Sequence, residues 1–326
     1  MNDNIYKIYE INEDNKNDFK FIDLFAGIGG IRMPFQNLGG KCVFSSEIDK
    51  YAAQTYEANY GEKPSGDITQ ISAETIPDFD ILLAGFPCQA FSIAGKRKGF
   101  EDTRGTMFFE VERILEEKQP KCFLLENVKG LTNHDKGITF KVMLDILENK
   151  LNYKVYYKVL NAKNFGLPQN RERIMIVGFK NHDIKFNFPE DTNIETKLGN
   201  ILIDNPDTKY TISDKIWASH QMRKERNRAK GNGFGYSLFN ENSNYTSTIS
   251  ARYYKDGSEI LIEQNGKNPR KLTPREAARL QGYPDKFKIV VSDTQAYKQF
   301  GNSVPVNMIN AVAQEMYKSL KNGGEI

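Results

Sequence analysis

The most reactive side chain in the sequence is Cys88, in the stretch Ala84-Gly-Phe-Pro-Cys-Gln-Ala-Phe-Ser92. It follows an apolar run that ends at Gly85, and a short apolar run bounded by turn residues is typical of a buried strand. Ligands of open α/β sheets bind at the carboxyl ends of the strands. Cys88 is therefore a candidate nucleophile, although such a group needs an activating partner. The alternative is a buried structural cysteine, the commoner role of a lone Cys.

A polar and basic segment, residues 89–105, comes directly after this cysteine and contains Lys96, Arg97, Lys98 and Arg104. Its glycines and cations predict a loop that closes over an anionic ligand. The strand predicted before Cys88 places this cysteine at the edge of the sheet, where the strand ends. The two features together indicate a covalent reaction on a negatively charged substrate.

Other residues capable of chemistry also follow predicted strands. Glu126 ends the apolar run that begins at Lys121, and an acid in such a run is costly unless it is paired or functional. Glu47 ends an earlier run, where an acid can accept hydrogen bonds from a ribose. The other interpretation is that Glu47 and Asp49 cap the helix predicted at residues 50–60.

The glycine-rich turn near the start of the chain predicts a ligand site between a strand and a helix. Gly27, Gly29 and Gly30 let the backbone approach a ligand closely, and a helix N-terminus offers free N–H groups. Their spacing does not match the G-x-G-x-x-G pattern of dinucleotide-binding proteins. This mismatch disfavours a nicotinamide-dependent dehydrogenase.

Strands and helices alternate up to about Lys180, which predicts an α/β fold with a parallel-centred sheet and helices on both faces. Beyond it, short β-type runs such as residues 245–254 predict a smaller, mostly β or irregular domain. An apolar helix ending near Leu320 is expected to return to the first domain. We expect a catalytic and cofactor-binding domain at 1–183, a recognition domain at 184–288 and a returning segment at 289–326.

The composition of the 326 residues, 39% hydrophobic and 27% charged, is that of a soluble globular protein. No apolar run approaches the roughly 18 residues that a membrane span needs, and we expect a cytoplasmic protein without a signal peptide. Three Cys and three His in no metal-binding spacing predict neither disulfides nor a metal site. The net charge of +3 does not identify a nucleic-acid partner. The basic run at residues 216–230 indicates nucleic-acid contact or, alternatively, a solvated helix face.

Several blocks in one order resemble the bacterial DNA (cytosine-5)-methyltransferase family, from Phe19 to near the end of the chain. The blocks are Phe21-Ile-Asp-Leu-Phe-Ala-Gly-Ile-Gly-Gly30, Gly85-Phe-Pro-Cys-Gln-Ala-Phe-Ser92, Leu125-Glu-Asn-Val128, Gln169-Asn-Arg-Glu-Arg173, Lys271-Leu-Thr-Pro-Arg-Glu-Ala-Ala-Arg279 and Gln299-Phe-Gly-Asn-Ser-Val304. The resemblance implies a Rossmann-like, S-adenosylmethionine-dependent fold with a target-recognition domain. It also implies a restriction–modification enzyme that flips a cytosine out of duplex DNA.

The resemblance assigns each block a role. Cys88 would add to carbon 6 of cytosine, and the methyl group would be transferred to carbon 5. Glu126 would hydrogen-bond ring nitrogen 3 and the amine, while Arg173, supported by Arg171, would hold the carbonyl oxygen. Glu47 would contact the ribose of S-adenosylmethionine and Asp67 its adenine amine. The implied cofactor-binding residues are Phe25, Gly27, Gly29, Glu47, Asp67, Ile68, Pro87 and Asn302.

The recognition segment is similar to that of relatives that modify CCGG-like or CCNGG-like sites. Arg252 is the candidate guanine contact, because Arg–guanine pairing is the commonest specific base contact; alternatively it holds a phosphate. The expected DNA-binding residues are Gln89, Ser92, Lys96, Arg97, Arg104, Arg228, Gly233, Tyr236, Arg252 and Tyr254.

The expected partner is double-stranded DNA, acted on by a monomer with no metal and no membrane attachment. One alternative is a transfer-RNA cytosine methyltransferase, against which the basic, aromatic residues 223–254 argue. The other is a catalytically silent DNA-binding regulator, which would need neither Cys88 nor Glu126 nor Arg173.

Overall fold

A computed structural model of the chain describes residues 19–87, 107–192, 194–233 and 235–326. Cys88 and the loop predicted after it lie outside the described residues. The strands are β1 (Phe19–Leu24), β2 (Gly40–Ser46), β3 (Ile81–Ala84), β4 (Cys122–Val128), β5 (Lys154–Asn161), β6 (Glu172–Phe179), β7 (Leu238–Phe239), β8 (Leu261–Gln264) and β9 (Lys267–Arg270). The α-helices are α1 (Arg32–Asn37), α2 (Lys50–Tyr60), α3 (Met107–Lys118), α4 (Ile138–Asp145), α5 (Asp214–Ala229), α6 (Pro274–Leu280), α7 (Asp293–Asn302) and α8 (Val306–Asn322).

The larger sheet has the strand order β2-β1-β3-β4-β6-β5. The first four strands are parallel, as predicted, while β6 runs antiparallel to both β4 and β5. Residues 162–171 join β5 to β6, and they are fewer than the dozen or so that a parallel crossover needs. The short connection therefore folds β6 back between β4 and β5.

Both faces of this sheet are covered, which confirms the α/β prediction. Ile81 and Leu83 of β3 pack in one apolar cluster with α1 and α8. Leu82 and Ala84 pack in a second cluster with α3 and α4 on the opposite face. Successive side chains of a strand point to opposite faces, so a continuous apolar strand supplies both clusters. Because α8 lies in the first cluster, the prediction that the last helix returns to the sheet is confirmed.

The second region contains the small sheet β7-β8-β9, helices α5 and α6, and long irregular segments. The β-type interpretation of residues 245–254 is wrong: their strand-like backbone pairing is limited to one bridge from Thr246 to Gln169. Side chains and a loop of the first region, rather than a neighbouring strand, satisfy these peptide groups. A third apolar cluster joins Ile28 and Met33 to residues 198–306; the domain boundaries themselves stay a prediction.

Within the described ranges, no helix is both long and apolar enough to cross a lipid bilayer.

Candidate active site

An acid and an arginine meet at the end of β4. Glu126 lies opposite Met175 of β6, and Arg173 is two residues before Met175, so both side chains are on the same face of the sheet. Arg173 Nε lies 3.0 Å from Glu126 Oε1, and the two side chains are only 13% and 9% exposed. The structure thus brings together two of the predicted catalytic residues.

The protonation of Glu126 is set by its surroundings. Burial raises its pKa, and the nearby charges of Arg173 and Arg171 counteract that rise without cancelling it. A carboxyl with a raised pKa keeps its proton more readily than an exposed glutamate. Glu126 is therefore suited to donate a hydrogen bond to an acceptor in the site.

The chain that leads to Cys88 is anchored beside this pair. Asn127 Nδ2 donates to the Phe86 carbonyl at 2.9 Å, and both residues are buried. A Cβ at Gly85 would lie 3.5 Å from Glu126 Oε2, so the backbone there passes against the carboxyl group. Pro87 is exposed and is the last described residue before Cys88.

The other two cysteines are poor candidates for a nucleophile. Cys42 and Cys122 are buried free thiols. Burial raises the pKa of Cys42 to about 12 and raises the pKa of Cys122 further. Since the thiolate is the nucleophile, these two groups are kept in the unreactive form. Of the three cysteines in the sequence, Cys88 is left as the candidate.

The glycine-rich turn after β1 holds Glu47. Gly27 N–H donates to Glu47 Oε2 at 2.8 Å, and Asp49 N–H donates to Glu47 Oε1 at 2.7 Å. Burial raises the pKa of Glu47, and these two hydrogen bonds oppose the rise. Asp49, not Glu47, caps α2 by accepting from Tyr51 and Ala52 N–H. The capping interpretation thus applies to Asp49, and Glu47 is held by the turn.

Three residues of the same turn have left-handed backbones: Phe25 at φ 54°, Gly27 at φ 56° and Gly29 at φ 80°. A Cβ at Gly27 would meet nothing within 4 Å, which leaves open space against the turn. Gly29 is packed tightly instead, because its carbonyl accepts from the Tyr60 hydroxyl at 2.8 Å. The turn is therefore held by packing at Gly29 and is open to a ligand at Gly27. We call the open backbone at Gly27 the cradle.

A second acid lies near this cradle. Asp67 caps the short turn Ile68–Gln70 by accepting from Thr69 N–H, and Ile68 is buried beneath it. Ser65 N–H donates to the Ser45 carbonyl at 2.8 Å, which places this segment beside the end of β2 and so beside Glu47. Asn302 is exposed at the end of α7. Ligand binding by these residues stays a prediction.

Arg171 is held by backbone carbonyls from later segments of the chain, and its supporting role for Arg173 stays a prediction. It is 1% exposed, and its guanidinium donates to the carbonyls of Ile249, Gly301 and Ser303 at 2.9, 2.9 and 2.6 Å. Burial and the nearby charge of Arg173 lower its pKa. The side chain therefore ties the start of β6 to two later segments of the chain.

Three polar residues near the site were not singled out from the sequence. Asn127 anchors Phe86, while Gln169 and Gln281 are fully buried and hydrogen-bonded to each other at 3.1 Å. Asn127 and Gln169 lie inside the motif blocks next to predicted catalytic residues, and this proximity in the sequence could have identified them. Among the described residues, no group of three or more His, Cys, Asp or Glu is arranged to hold a metal ion.

The predicted DNA-binding residues divide into two sets. Arg228, Gly233 and Arg252 are exposed, and Tyr236 and Tyr254 are half-buried. Tyr236 packs against Trp217 of α5 with ring centroids 4.7 Å apart, and Lys224 lies 4.2 Å above its ring. The second set lies outside the described residues: Gln89, Ser92, Lys96, Arg97 and Arg104.

Solved methyltransferase structures share this fold. The S. pombe Dnmt2 methyltransferase superposes with a TM-score of 0.77 at 18% identity, covering 93% of this chain and 99% of that one. A Spodoptera frugiperda DNMT2 mutant gives a TM-score of 0.76 at 22% identity, covering 91% and 99%. At these identities the likeness defines the fold: a mixed α/β methyltransferase sheet with a smaller second sheet.

The family follows from sequence relatives. The model for C-5 cytosine-specific DNA methylases matches residues 19–318. The chain is 64% identical to the Type II methyltransferase M.NlaX of Neisseria lactamica, over 93% of this chain and 97% of the relative. It is 59% identical to M.SsoII of Shigella sonnei, also named a Type II methyltransferase, over 96% and 83%. The chain belongs to the C-5 cytosine-specific DNA methylase family and is a DNA (cytosine-5) methyltransferase.

Proposed function

We propose that the enzyme methylates one cytosine of a short duplex site of CCGG or CCNGG type, as the modification partner in a type II restriction–modification system. Relatives of about 60% identity carry the name Type II methyltransferase, and they disfavour the transfer-RNA and silent-regulator alternatives. The observation that carries the chemistry is the buried Glu126–Arg173 pair at 3.0 Å.

In this proposal Cys88 attacks carbon 6 of a flipped cytosine, and the described residues stabilise the resulting charge. Carbon 5 of cytosine is a weak nucleophile until a thiolate adds to the ring, and Cys is intrinsically very nucleophilic. Negative charge then develops on ring nitrogen 3 and on the carbonyl oxygen. The protonated Glu126 donates to the nitrogen and Arg173 donates to the oxygen, in a buried site where such contacts are strong. Once carbon 5 carries the methyl group, loss of its proton and elimination of the Cys88 thiolate from carbon 6 restore the aromatic ring.

The cofactor in this proposal is S-adenosylmethionine, which supplies an electrophilic methyl group. The open cradle at Gly27 and the two acids beside it fit such a molecule. Glu47 would accept hydrogen bonds from the ribose, Asp67 would accept one from the adenine amine, and Ile68 would form an apolar floor. Phe25, Gly29, Pro87 and Asn302 would complete the binding surface.

DNA binding is assigned to the exposed cations of the second region and to the segment after Cys88. Arg228 and Arg252 contact phosphate or base edges, and Tyr236 and Tyr254 contact the duplex through their exposed edges. Gln89, Ser92, Lys96, Arg97 and Arg104 are assigned to the strand that holds the flipped base.

The test is expression in a host that lacks cytosine methylation, followed by genome sequencing for 5-methylcytosine. We expect methylation confined to one short motif, abolished by Cys88→Ala and retained by Cys122→Ala, which removes a buried thiol elsewhere. Methylation that survives Cys88→Ala contradicts the assigned nucleophile. Soluble wild-type protein that binds S-adenosylmethionine but methylates no site contradicts the proposed DNA activity in this host.

A further inference from the structure

A buried contact links the segment that precedes Arg252 to the strand that carries Arg173. Both backbone groups of Ile249 are held by side chains of that link: Ile249 N–H donates to Gln169 Oε1 at 3.0 Å, and Arg171 Nη1 donates to the Ile249 carbonyl at 2.9 Å. Gln169 and Ile249 are fully buried and Arg171 is 1% exposed. A residue whose N–H and C=O are both held in this way cannot shift without breaking a buried hydrogen bond.

The backbones around this contact are paired as well. Thr246 N–H donates to the Pro168 carbonyl and Asn170 N–H donates to the Thr246 carbonyl, both at 2.9 Å. The Thr248 hydroxyl donates to the Asn170 carbonyl at 2.7 Å. Residues 246–249 therefore run alongside residues 168–171, and we call this paired segment the joint.

The joint also holds a third segment of the chain, residues 301–303. Arg171 Nη2 donates to the carbonyls of Gly301 and Ser303. A Cβ at Gly301 would come within 2.3 Å of the Ser250 backbone, so residue 301 lies directly against the start of the turn at residues 250–256. Gln169 Nε2 donates in addition to the Leu280 carbonyl at 3.2 Å.

The turn at residues 250–256 keeps its own hydrogen bonds. Ser250 Oγ donates to Glu259 Oε1 at 2.6 Å, and Arg252 N–H donates to Ser250 Oγ at 3.1 Å. Loss of the joint would therefore leave the turn intact but free to move relative to Arg173, which lies only two residues beyond Arg171. We therefore expect the turn and the Glu126–Arg173 pair each to stay intact but to lose their fixed position relative to each other.

We propose that Gln169 and Arg171 are positioning residues that hold the turn at residues 250–256 in register with the Glu126–Arg173 pair. The inference rests on the proposed function, in which Arg252 of this turn contacts the target site. The joint then couples recognition of the site to placement of the cytosine. Its loss reduces discrimination between the cognate site and similar sites.

The test compares kcat/KM on a cognate duplex with kcat/KM on duplexes that carry one mismatched base pair. Gln169→Leu keeps the side-chain size and removes the hydrogen bonds to Ile249, Leu280 and Gln281. We expect its discrimination ratio to fall about tenfold, which corresponds to the net contribution of about one to two buried hydrogen bonds. Its affinity for S-adenosylmethionine is expected to stay within about twofold of wild type, since the changed group contacts none of the cradle residues.

Tyr153→Phe is the matched control for stability. Its hydroxyl donates a buried hydrogen bond to the Pro120 carbonyl at 2.8 Å, at the opposite end of β4. We expect a comparable fall in Tm with an unchanged discrimination ratio. If Gln169→Leu lowers Tm like this control and leaves the ratio unchanged, the positioning role is overturned.

Two further variants complete the design. Arg171→Lys keeps the charge but loses the rigid guanidinium fork, whose two terminal nitrogens reach Ile249 on one segment and Gly301 and Ser303 on another. This variant is used if Gln169→Leu does not fold. We expect about a threefold fall in the ratio, and an unchanged ratio overturns the proposal. Arg252→Ala tests the underlying assumption. An unchanged ratio in Arg252→Ala contradicts the recognition role of the turn, whereas a loss there with no change in the joint variants contradicts the joint alone.

Discussion

The sheet region, residues 19–179, and the predicted recognition region, residues 184–288, differ in the interactions that stabilise them. In the described part of the first, apolar side chains alternate between two cores, as Leu82 and Leu83 do. The described part of the second has little regular structure, and its apolar cluster is supplemented by buried polar contacts such as Arg270 with Glu276. The geometry of the first region thus follows from repeated apolar burial on a sheet, whereas the geometry of the second depends on individual polar partners in addition to apolar burial.

The largest expected effect comes from removing one such partner. Glu276 is fully buried and accepts two hydrogen bonds from Arg270 at 2.8 Å, as well as one from Ile203 N–H. Arg270→Met leaves a buried carboxylate without its cation, which costs about 3–5 kcal/mol. Urea unfolding measures the loss, and hydrogen exchange should show it in residues 184–288 before the sheet.

The control is the more exposed pair of Arg223 with Asp256, whose side chains are 36% and 38% exposed. Arg223→Met should cost less than about 1 kcal/mol, because exposed pairs are weak. Equal losses in the two variants would contradict the contrast between the regions.

The second effect concerns the site built on the sheet. Glu126→Gln should lower kcat by about 10²- to 10³-fold, the usual cost of an altered group that stabilises charge in the transition state. Single-turnover methyl transfer at saturating S-adenosylmethionine measures it, and unfolding by urea checks that the fold is retained. A kcat within threefold of wild type would rule out the proposed role of Glu126.

The same variant carries a pH signature. In the proposed role the carboxyl donates only while it is protonated, so we expect the wild-type rate to have a limb that falls as the pH rises through the raised pKa of Glu126. The amide of Glu126→Gln donates at every pH, and this limb should be absent from its profile. A limb that persists in the variant belongs to another group.

A third, smaller effect concerns the exposed surface of α5. Arg228 is one helical turn beyond Lys224, which lies over the ring of Tyr236, so it is on the helix face that contacts this predicted DNA-binding residue. Arg226 is exposed on the other side of the helix. Arg228→Ala should weaken binding to all duplexes and reduce the slope of log K against log salt by about 1. Arg226→Ala should change neither, and equal slopes for the two variants would remove α5 from the interface.

The smallest effect is expected deep in the sheet, where Asp23 is an exception to its apolar surroundings. Its side chain is 1% exposed, and Oδ2 has no hydrogen-bond partner among the described residues. Burial raises its pKa well above the ordinary value. The folded state therefore binds a proton that the unfolded state releases, and this contribution to stability is lost as the pH rises from the ordinary pKa through the raised one.

Asp23→Asn removes that titration. The free energy of unfolding of the variant should fall less between pH 5 and pH 8 than that of wild type, as measured in urea. Glu126 titrates in both proteins and cancels from the difference between the two curves. Glu47 raises the pKa of Asp23, so the difference reports Asp23 together with its coupling to Glu47. Parallel curves would show that Asp23 has the same protonation in the folded and unfolded states.

Local signals in the sequence predicted the elements that local interactions determine. Thr273 and Pro274 predicted the start of α6, and the structure has a full capping box there with Glu276. Glu126 in an apolar run predicted a paired or functional acid, and its partner Arg173 lies on the neighbouring strand. In each case the physical cause lies within a few residues of the pattern or in one buried side chain.

The joint and the irregular residues around it could not be predicted in the same way. Residues 245–254 have β-type composition, but their peptide groups pair with Gln169, Arg171 and the loop between β5 and β6. Arg171 resembled a supporting catalytic residue, although its guanidinium binds carbonyls far away in the sequence. Contacts between a side chain and a distant backbone leave no periodicity, so no local pattern reports them.

The grip on Ile249 has a consequence for how this protein can evolve. Gln169 and Arg171 bind the peptide groups of that residue, and such contacts are indifferent to which side chains follow it. In the proposed recognition role, substitutions at the exposed residue 252 can therefore alter the contact with DNA without moving the segment, whereas Ser250 and the fully buried Tyr253 help to hold it. Antibody frameworks support variable loops in the same way, with a fixed backbone and interchangeable side chains. Here this arrangement would let new sequence specificities arise while the catalytic region stays unchanged.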